Sequence, residues 1–248
     1  MRARALALRM RDPDPAALER AAPWLRRMRA YCRLQVEGVE KIPAGPCILA
    51  ANHTGWAGLD YWNLFITVYD DAKRAPRVAV HPSYFRFRKM REMADALGFF
   101  EVSVATSTEI LDAGGLVTFF PEAEEGNFKP IWKRYRLQPF KPGFARVALA
   151  TEAPIVPVVI VGGEEANPSL GRMRPLEDVL DAPVPIPVNL LPFPVKWRIA
   201  FLDPIHPSAY LERESPDKDV AEVIARDLRH LMQDALDEQV EKRGHPIL

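Results

Sequence analysis

Apolar and polar positions alternate with two different periods along this chain. From Ala16 to Cys32, Leu18, Ala21, Ala22, Leu25, Met28 and Cys32 recur at helical spacing. The same period returns in Phe87, Met90, Ala94 and Leu97, a helix that Gly98 should end. It predicts shorter helices at Thr106–Ala113 and Gly143–Thr151, and a long amphipathic one over Asp219–Val240 with Val220, Val223, Ile224, Leu228, Leu231, Ala235 and Leu236 on one side. Between them lie strand patterns. Arg33–Val39 and Phe99–Val104 alternate, whereas Cys47–Asn52, Arg77–His81, Leu116–Phe120, Ile155–Val161 and Lys196–Leu202 are short apolar runs. Pro175–Pro194 is apolar and proline-rich and shows no period. Strands alternating with helices predict a single layered α/β domain, a mixed, mostly parallel sheet flanked by helices. The pattern divides into a basic amphipathic helical segment (1–34), an α/β domain (35–210) and a C-terminal amphipathic helix packed on it (211–248).

Composition changes this picture little. The 33 Lys and Arg balance the 33 Asp and Glu over 248 residues, so no global charge points to nucleic acid. Charge is uneven, however: Met1–Leu34 holds nine arginines against Asp12, Asp14 and Glu19, which suits an anionic lipid surface, an acidic carrier protein or a solvated helix face. Cys32 and Cys47, both read in strand-like contexts, are expected to be buried free thiols in a reducing compartment. No run of 18 apolar residues predicts a membrane span, and the arginine-rich start lacks the apolar core of a leader. The expectation is a cytoplasmic protein, peripheral on the inner face of the cell membrane.

Candidate chemistry begins where the Cys47–Asn52 strand ends. Asn52, His53 and Thr54 are followed by Gly55, Trp56, Gly58 and Asp60. An imidazole oriented by a carboxylate is a general base. Seven residues of continuous helix would separate His53 and Asp60 by roughly 10 Å, so Gly55 and Gly58 must fold the segment back, with Asp60 then opening a helix as its N-cap. A second acidic group, Phe120-Pro121-Glu122-Ala123-Glu124-Glu125, follows another strand end, where open α/β sheets place ligands. Lys129, Lys133, Arg134, Arg136 and Lys141, interleaved with aromatics, suit phosphate groups, a phospholipid surface or a plain surface loop. His81, His206, His230 and His245 read as structural or surface residues, and no His-Glu-x-x-His spacing predicts a metal site. There is no Gly-x-Ser-x-Gly elbow, and Cys47 lies roughly 20 Å from His53 along the strand.

Taken in order, Asn52-His53…Asp60, Gly98–Ser103, Phe120-Pro121-Glu122 and the proline-rich strand Pro154–Val158 resemble the glycerolipid/lysophospholipid acyltransferase family (1-acylglycerol-3-phosphate acyltransferase-like). The six residues between His53 and Asp60 resemble a bacterial branch of it. The resemblance implies acyl transfer from a thioester, acyl-CoA or acyl-carrier protein, to a lysolipid or similar acceptor. It implies no cofactor and no metal. His53 would be the base and Asp60 its partner; Asn52, Thr54, Phe120, Pro121, Glu122 and Pro157 would line the substrate site. The sequence departs from the family pattern at three places. The arginine that holds glycerol phosphate is missing from Gly98–Thr106, Ala123 stands where the third block has glycine, and Glu124 stands where an arginine often follows. Lys129, Arg134 and Arg136 are the alternative phosphate ligands, unless the acceptor carries no phosphate there. The same residues are compatible with a lipid-binding relative that has lost catalysis, a thioester hydrolase, or transfer to an amine. If Ala123 needs a positive φ, it is strained.

Overall fold

Two apolar runs without alternation lie side by side at the centre of the sheet. Cys47–Ala51 and Ile155–Val161 are buried along their whole length and pair in parallel, as strands do when both faces of a sheet are covered. The structure, a computed structural model, describes residues 12–180, 184–213 and 219–247. Met1–Arg11 of the basic segment, with four of its arginines, residues 181–183 of the proline-rich stretch, residues 214–218 and Leu248 lie outside the described residues.

The elements are α1 (Pro15–Tyr31), β1 (Gln35–Glu37), β2 (Cys47–Ala51), α2 (Leu59–Asp70), β3 (Arg77–Val80), α3 (Arg88–Leu97), β4 (Phe100–Glu101), α4 (Val104–Asp112) and β5 (Leu116–Phe119). After them come α5 (Glu124–Asn127), α6 (Gly143–Thr151), β6 (Ile155–Val161), α7 (Gly163–Ala166), β7 (Ser169–Arg172), α8 (Arg174–Leu180), β8 (Pro185–Pro187), β9 (Arg198–Phe201), α9 (Ser208–Arg213) and α10 (Val220–Arg243). Seven strands form one mixed sheet in the order β1-β9-β6-β2-β5-β3-β4. Neighbours are parallel except β6 and β9. β7 and β8 form a separate antiparallel hairpin.

The crossovers position the site. From β2 the chain passes through α2 to β3 on one side. From β5 it passes through α6 to β6, on the other side of β2. Leu64 and Val68 of α2 pack with Leu49 and Ala51 on one face; Phe144, Ala145 and Ala148 of α6 pack with Ile48 and Ala50 on the other. Alternate residues of β2 therefore serve opposite layers, and the carboxyl end of β2 is the switch point at which such sheets form a crevice. α10 covers the α6 face with Ile224, Leu228, Met232 and Leu236. α1 packs Leu18, Ala22 and Leu25 against Phe65, Ile66 and Leu97.

Several elements are shorter than their patterns. Arg33 (φ 44°) and Gly38 (φ 74°) confine the Arg33–Val39 strand to three residues, and Phe99–Val104 keeps two paired residues. Cys32 closes α1 rather than lying in a strand. Both thiols are buried, and burial pushes each up. Leu231, placed with the apolar stripe by period, faces solvent, and Met232 is buried instead.

Candidate active site

β2 delivers His53 to the crevice, and two glycines turn the chain back beneath it. Gly55 (φ 82°) and Gly58 (φ 72°) occupy left-handed backbone that favours glycine. Gly58, not Asp60, is the residue before α2; Asp60 lies in the first turn of the helix. Its carboxylate is thereby free to point backwards. Asp60 Oδ2 lies 2.7 Å from His53 Nδ1 and accepts the Thr54 N–H at 3.0 Å, while Oδ1 accepts the Tyr61 N–H at 2.8 Å. A fully buried carboxylate that already accepts two backbone donors makes Nδ1 the protonated nitrogen, leaving Nε2 as a proton acceptor. The His53 side chain is 12% exposed. Phe120 stacks on the imidazole with ring centroids 4.1 Å apart and planes 12° from parallel, fixing the ring's plane.

Beneath His53 lies a buried ionic network. Glu122 Oε1 accepts the His53 N–H at 3.1 Å, and Oε2 accepts the Gln138 N–H at 2.7 Å. Lys129 Nζ lies 3.9 Å from Glu122, 2.7 Å from Glu164 Oε1, and donates to the Arg136 carbonyl at 3.1 Å. Glu164 Oε2 accepts the Tyr135 N–H at 2.8 Å, and the Glu164 N–H donates to Thr54 Oγ1 at 3.2 Å. The network thus joins both sides of the His53 loop. Burial pushes the Glu122 and Glu164 carboxyls up, because one shared ammonium does not fully offset two desolvated acids. Burial pulls on Lys129 in the opposite sense, but Glu164 and Glu122 outweigh it and hold the ammonium above its ordinary value.

The sequence-selected residues therefore divide. Asn52 faces β6: its side chain accepts from the Ile160 N–H at 2.7 Å and donates to the Ile160 carbonyl at 3.0 Å. Pro157 sits in β6 opposite Ala50, and Pro121 is buried with its carbonyl accepting the Lys141 N–H at 2.9 Å. Lys129, expected to meet substrate phosphate, is turned inward to two carboxyls. Arg134 and Arg136 are exposed; Arg134 lies over the Tyr135 ring and Arg136 reaches Asp237 at 3.8 Å. Glu164 did not emerge from pattern or motif. Neither did Gly163, where a Cβ would lie 1.9 Å from the Thr54 carbonyl oxygen. The available signal was the Gly162-Gly163-Glu164 run directly after a buried strand. Gly126 has a similar role, since a Cβ there would meet the Glu122 side chain at 2.7 Å.

Ala123 has φ 50° and ψ −143°, a region that is costly for any residue but glycine, by about 1–3 kcal/mol. Part of that is offset by the greater unfolded-state entropy of glycine. Ala123→Gly is expected to raise unfolding stability by about 1 kcal/mol, read as a higher urea midpoint with unchanged m; an equal or lower midpoint would show that Ala123 is accommodated without strain.

Next to this site a cleft of about 660 Å³ opens between α1, α2 and α3, lined by Trp24, Leu25, Tyr61, Trp62, Met90 and Leu97 among others. Tyr61 follows Asp60 directly, and its hydroxyl lies 2.6 Å from that of Tyr84. Burial pushes the Tyr61 phenol up, so it stays protonated.

A mixed α/β sheet carrying a His–Asp pair at its switch point, with a Phe-Pro-Glu turn supporting it, defines a class. The acyltransferase family profile matches residues 33–161, from before β1 to the end of β6, and the chain belongs to this family. It is 33% identical over 221 residues to an uncharacterised protein of Mycobacterium leprae, covering 84% of this chain and 60% of the relative. A mouse protein named DGAT1/2-independent enzyme synthesizing storage lipids is 26% identical over 178 residues, covering 69% of this chain and 52% of its own length. The chain thus spans about 60% of the length of the mycobacterial relatives it matches. The fold is that of the 1-acyl-sn-glycerophosphate acyltransferase PlsC from Thermotoga maritima, with TM-score 0.63 at 18% identity over 92% of this chain and 84% of PlsC.

Proposed function

We propose that the protein transfers a fatty acyl group from a thioester donor, acyl-CoA or an acyl-carrier protein, to a lipid hydroxyl. The observation that carries this is the His53–Asp60 pair, with Nε2 free, beside an apolar cleft. Nε2 removes the acceptor's proton as its oxygen attacks the thioester carbonyl. Asp60 stabilises the imidazolium that forms. The C–S bond breaks, and the thiolate leaves with the proton returned by His53. The cleft suits an acyl chain, and the mouse relative named for storage-lipid synthesis supports a lipid acceptor. The test is a mass-spectrometric screen of lipid alcohols and amines with acyl-CoA and acyl-carrier protein donors, comparing wild type with His53→Ala. His53-dependent ester formation supports the reading. Acceptor-independent release of fatty acid would instead identify a hydrolase, and donor binding without turnover a lipid-binding protein.

A lipid acceptor resides in a bilayer, and the site edge of the sheet suits one. Large apolar side chains are exposed on connections that follow β3 and β5 and that enter β9, which runs antiparallel to β6: Phe87, Trp132, and Leu190 and Leu191, 80% and 81% exposed. Tyr31 of α1 donates to the Pro192 carbonyl at 2.7 Å, joining the helix to this edge. No helix among the described residues is long and apolar enough to cross a membrane. The reading is peripheral attachment at the inner face of the cell membrane. Flotation with anionic vesicles is expected to carry the wild type and to lose a Leu190→Asp/Leu191→Asp variant; equal flotation of both would remove this edge from the account.

A further inference from the structure

We infer that the acceptor presents an uncharged head group, so that the hydroxyl His53 deprotonates belongs to a neutral lipid alcohol rather than to a phosphate-bearing lysolipid. This rests on the acyl-transfer reading above and specifies its substrate. A phosphate acceptor needs cations that are free to meet it. Here the buried or half-buried cations around the site loops are already matched by the protein's own acids. Lys129 is held by Glu164 and Glu122. Arg172 reaches Glu124 at 3.2 Å and makes a two-pronged contact with Glu177 at 2.6 and 2.7 Å. Arg243 is held by Glu165. Three cations thus face five carboxyl groups before Asp60 is counted.

The other natural anion site is also filled. The amino end of a helix attracts phosphate through its free N–H groups. At α2, however, the Asp60 carboxylate occupies that end, accepting the Tyr61 and Thr54 N–H groups and the His53 Nδ1–H. A phosphate dianion brought to His53 would lie against the Asp60 carboxylate, 2.7 Å from the ring, while the buried Lys129 is already held by Glu164 and Glu122, and juxtaposed like charges are penalised. A hydroxyl on an uncharged glycerol or alkyl chain meets no such penalty. Lys141 is an exposed cation whose backbone N–H bonds the Pro121 carbonyl, directly before Glu122. With the exposed Lys133 and Arg134 of the same segment, it is a cation through which a phosphate would bind if this inference were wrong.

The experiment compares monoacylglycerol, diacylglycerol and a long-chain alcohol with lysophosphatidic acid, each in mixed micelles with one acyl-CoA. Turnover, measured as kcat/KM, is expected to favour at least one neutral acceptor by roughly tenfold or more. Glu124→Arg, which places a cation beside the Glu122 turn, is expected to move the ratio by about tenfold toward lysophosphatidic acid. Lysophosphatidic acid acylated as well as the best neutral acceptor overturns the inference, most directly if Lys141→Gln abolishes that activity. Absence of acylation of every acceptor would fail the acyl-transfer reading itself. In that event, binding of monoacylglycerol and lysophosphatidic acid to the wild type, followed by tryptophan fluorescence, still decides the preference of the site: tighter binding of the phosphate lipid overturns it.

Discussion

Asp60→Asn is expected to lower kcat by roughly 10³- to 10⁴-fold, close to the loss in His53→Ala, with little change in KM. The reason is the direction of one hydrogen bond. Asp60 accepts at Oδ2 from both His53 Nδ1 and the Thr54 N–H. An asparagine has one oxygen, which can occupy either the Oδ2 position or the Oδ1 position that accepts the Tyr61 N–H. With its oxygen kept on the Tyr61 N–H, its amide takes the Oδ2 position and donates to Nδ1, which forces the ring proton onto Nε2. The imidazole then offers the acceptor hydroxyl a donor where a base is needed. Phe120 would still hold the ring plane, so the loss is of protonation state rather than placement. Single-turnover acylation with a saturating acceptor separates the two. Asp60→Asn should bind donor normally and transfer slowly. A variant retaining more than a tenth of wild-type kcat would mean that Asp60 only braces the Thr54 turn.

How far these contacts can be read from the chain depends on their range. The bounds of Gly143–Thr151 and Ile155–Val161 follow directly from their apolar patterns, because burial repeats at the element's own period. The approach of His53 to Asp60 is a local matter of two glycines in seven residues, and the left-handed backbone at Gly55 and Gly58 delivers it. The sense of Lys129 is not local. Whether its charge faces solvent or Glu164 depends on α7, 35 residues away, which follows β6 and is held to the His53 loop through Thr54. A run of cations between aromatics has the same pattern in either case. The strand within Pro175–Pro194 was equally hidden, since Pro185 and Pro187 of β8 sit in a strand that pairs with β7 in a two-stranded sheet, where a missing N–H is tolerated. Ala123 lies between these extremes. Its positive φ was foreseeable from the glycine of the resembling block, and the strain is present in the backbone.

Lys129→Met should be the most destabilising of the substitutions considered, by about 3–5 kcal/mol at neutral pH, because it leaves two buried acids without their cation. The pH dependence identifies the cause. Burial already holds the folded-state carboxyls of Glu122 and Glu164 above their unfolded values. A raised carboxyl contributes stability that is fully present below its unfolded pKa and is lost as pH rises through its folded pKa. Removing Lys129 raises both carboxyls further and widens that window. The deficit relative to wild type should therefore be small in acid, where both acids are protonated in either state, and should grow toward neutral pH. Urea unfolding across this range measures it. Lys129→Met/Glu164→Gln should recover part of the loss, since only Glu122 then remains unpaired; a deficit equal at every pH, and not reduced in the double variant, would attribute the effect to packing alone. Because Glu122 also accepts the His53 N–H, the double variant should recover acyl transfer only as far as it restores the backbone beneath the base. Its kcat, measured beside its stability, therefore tests whether the buried network merely supports the fold or also sets the position from which His53 acts.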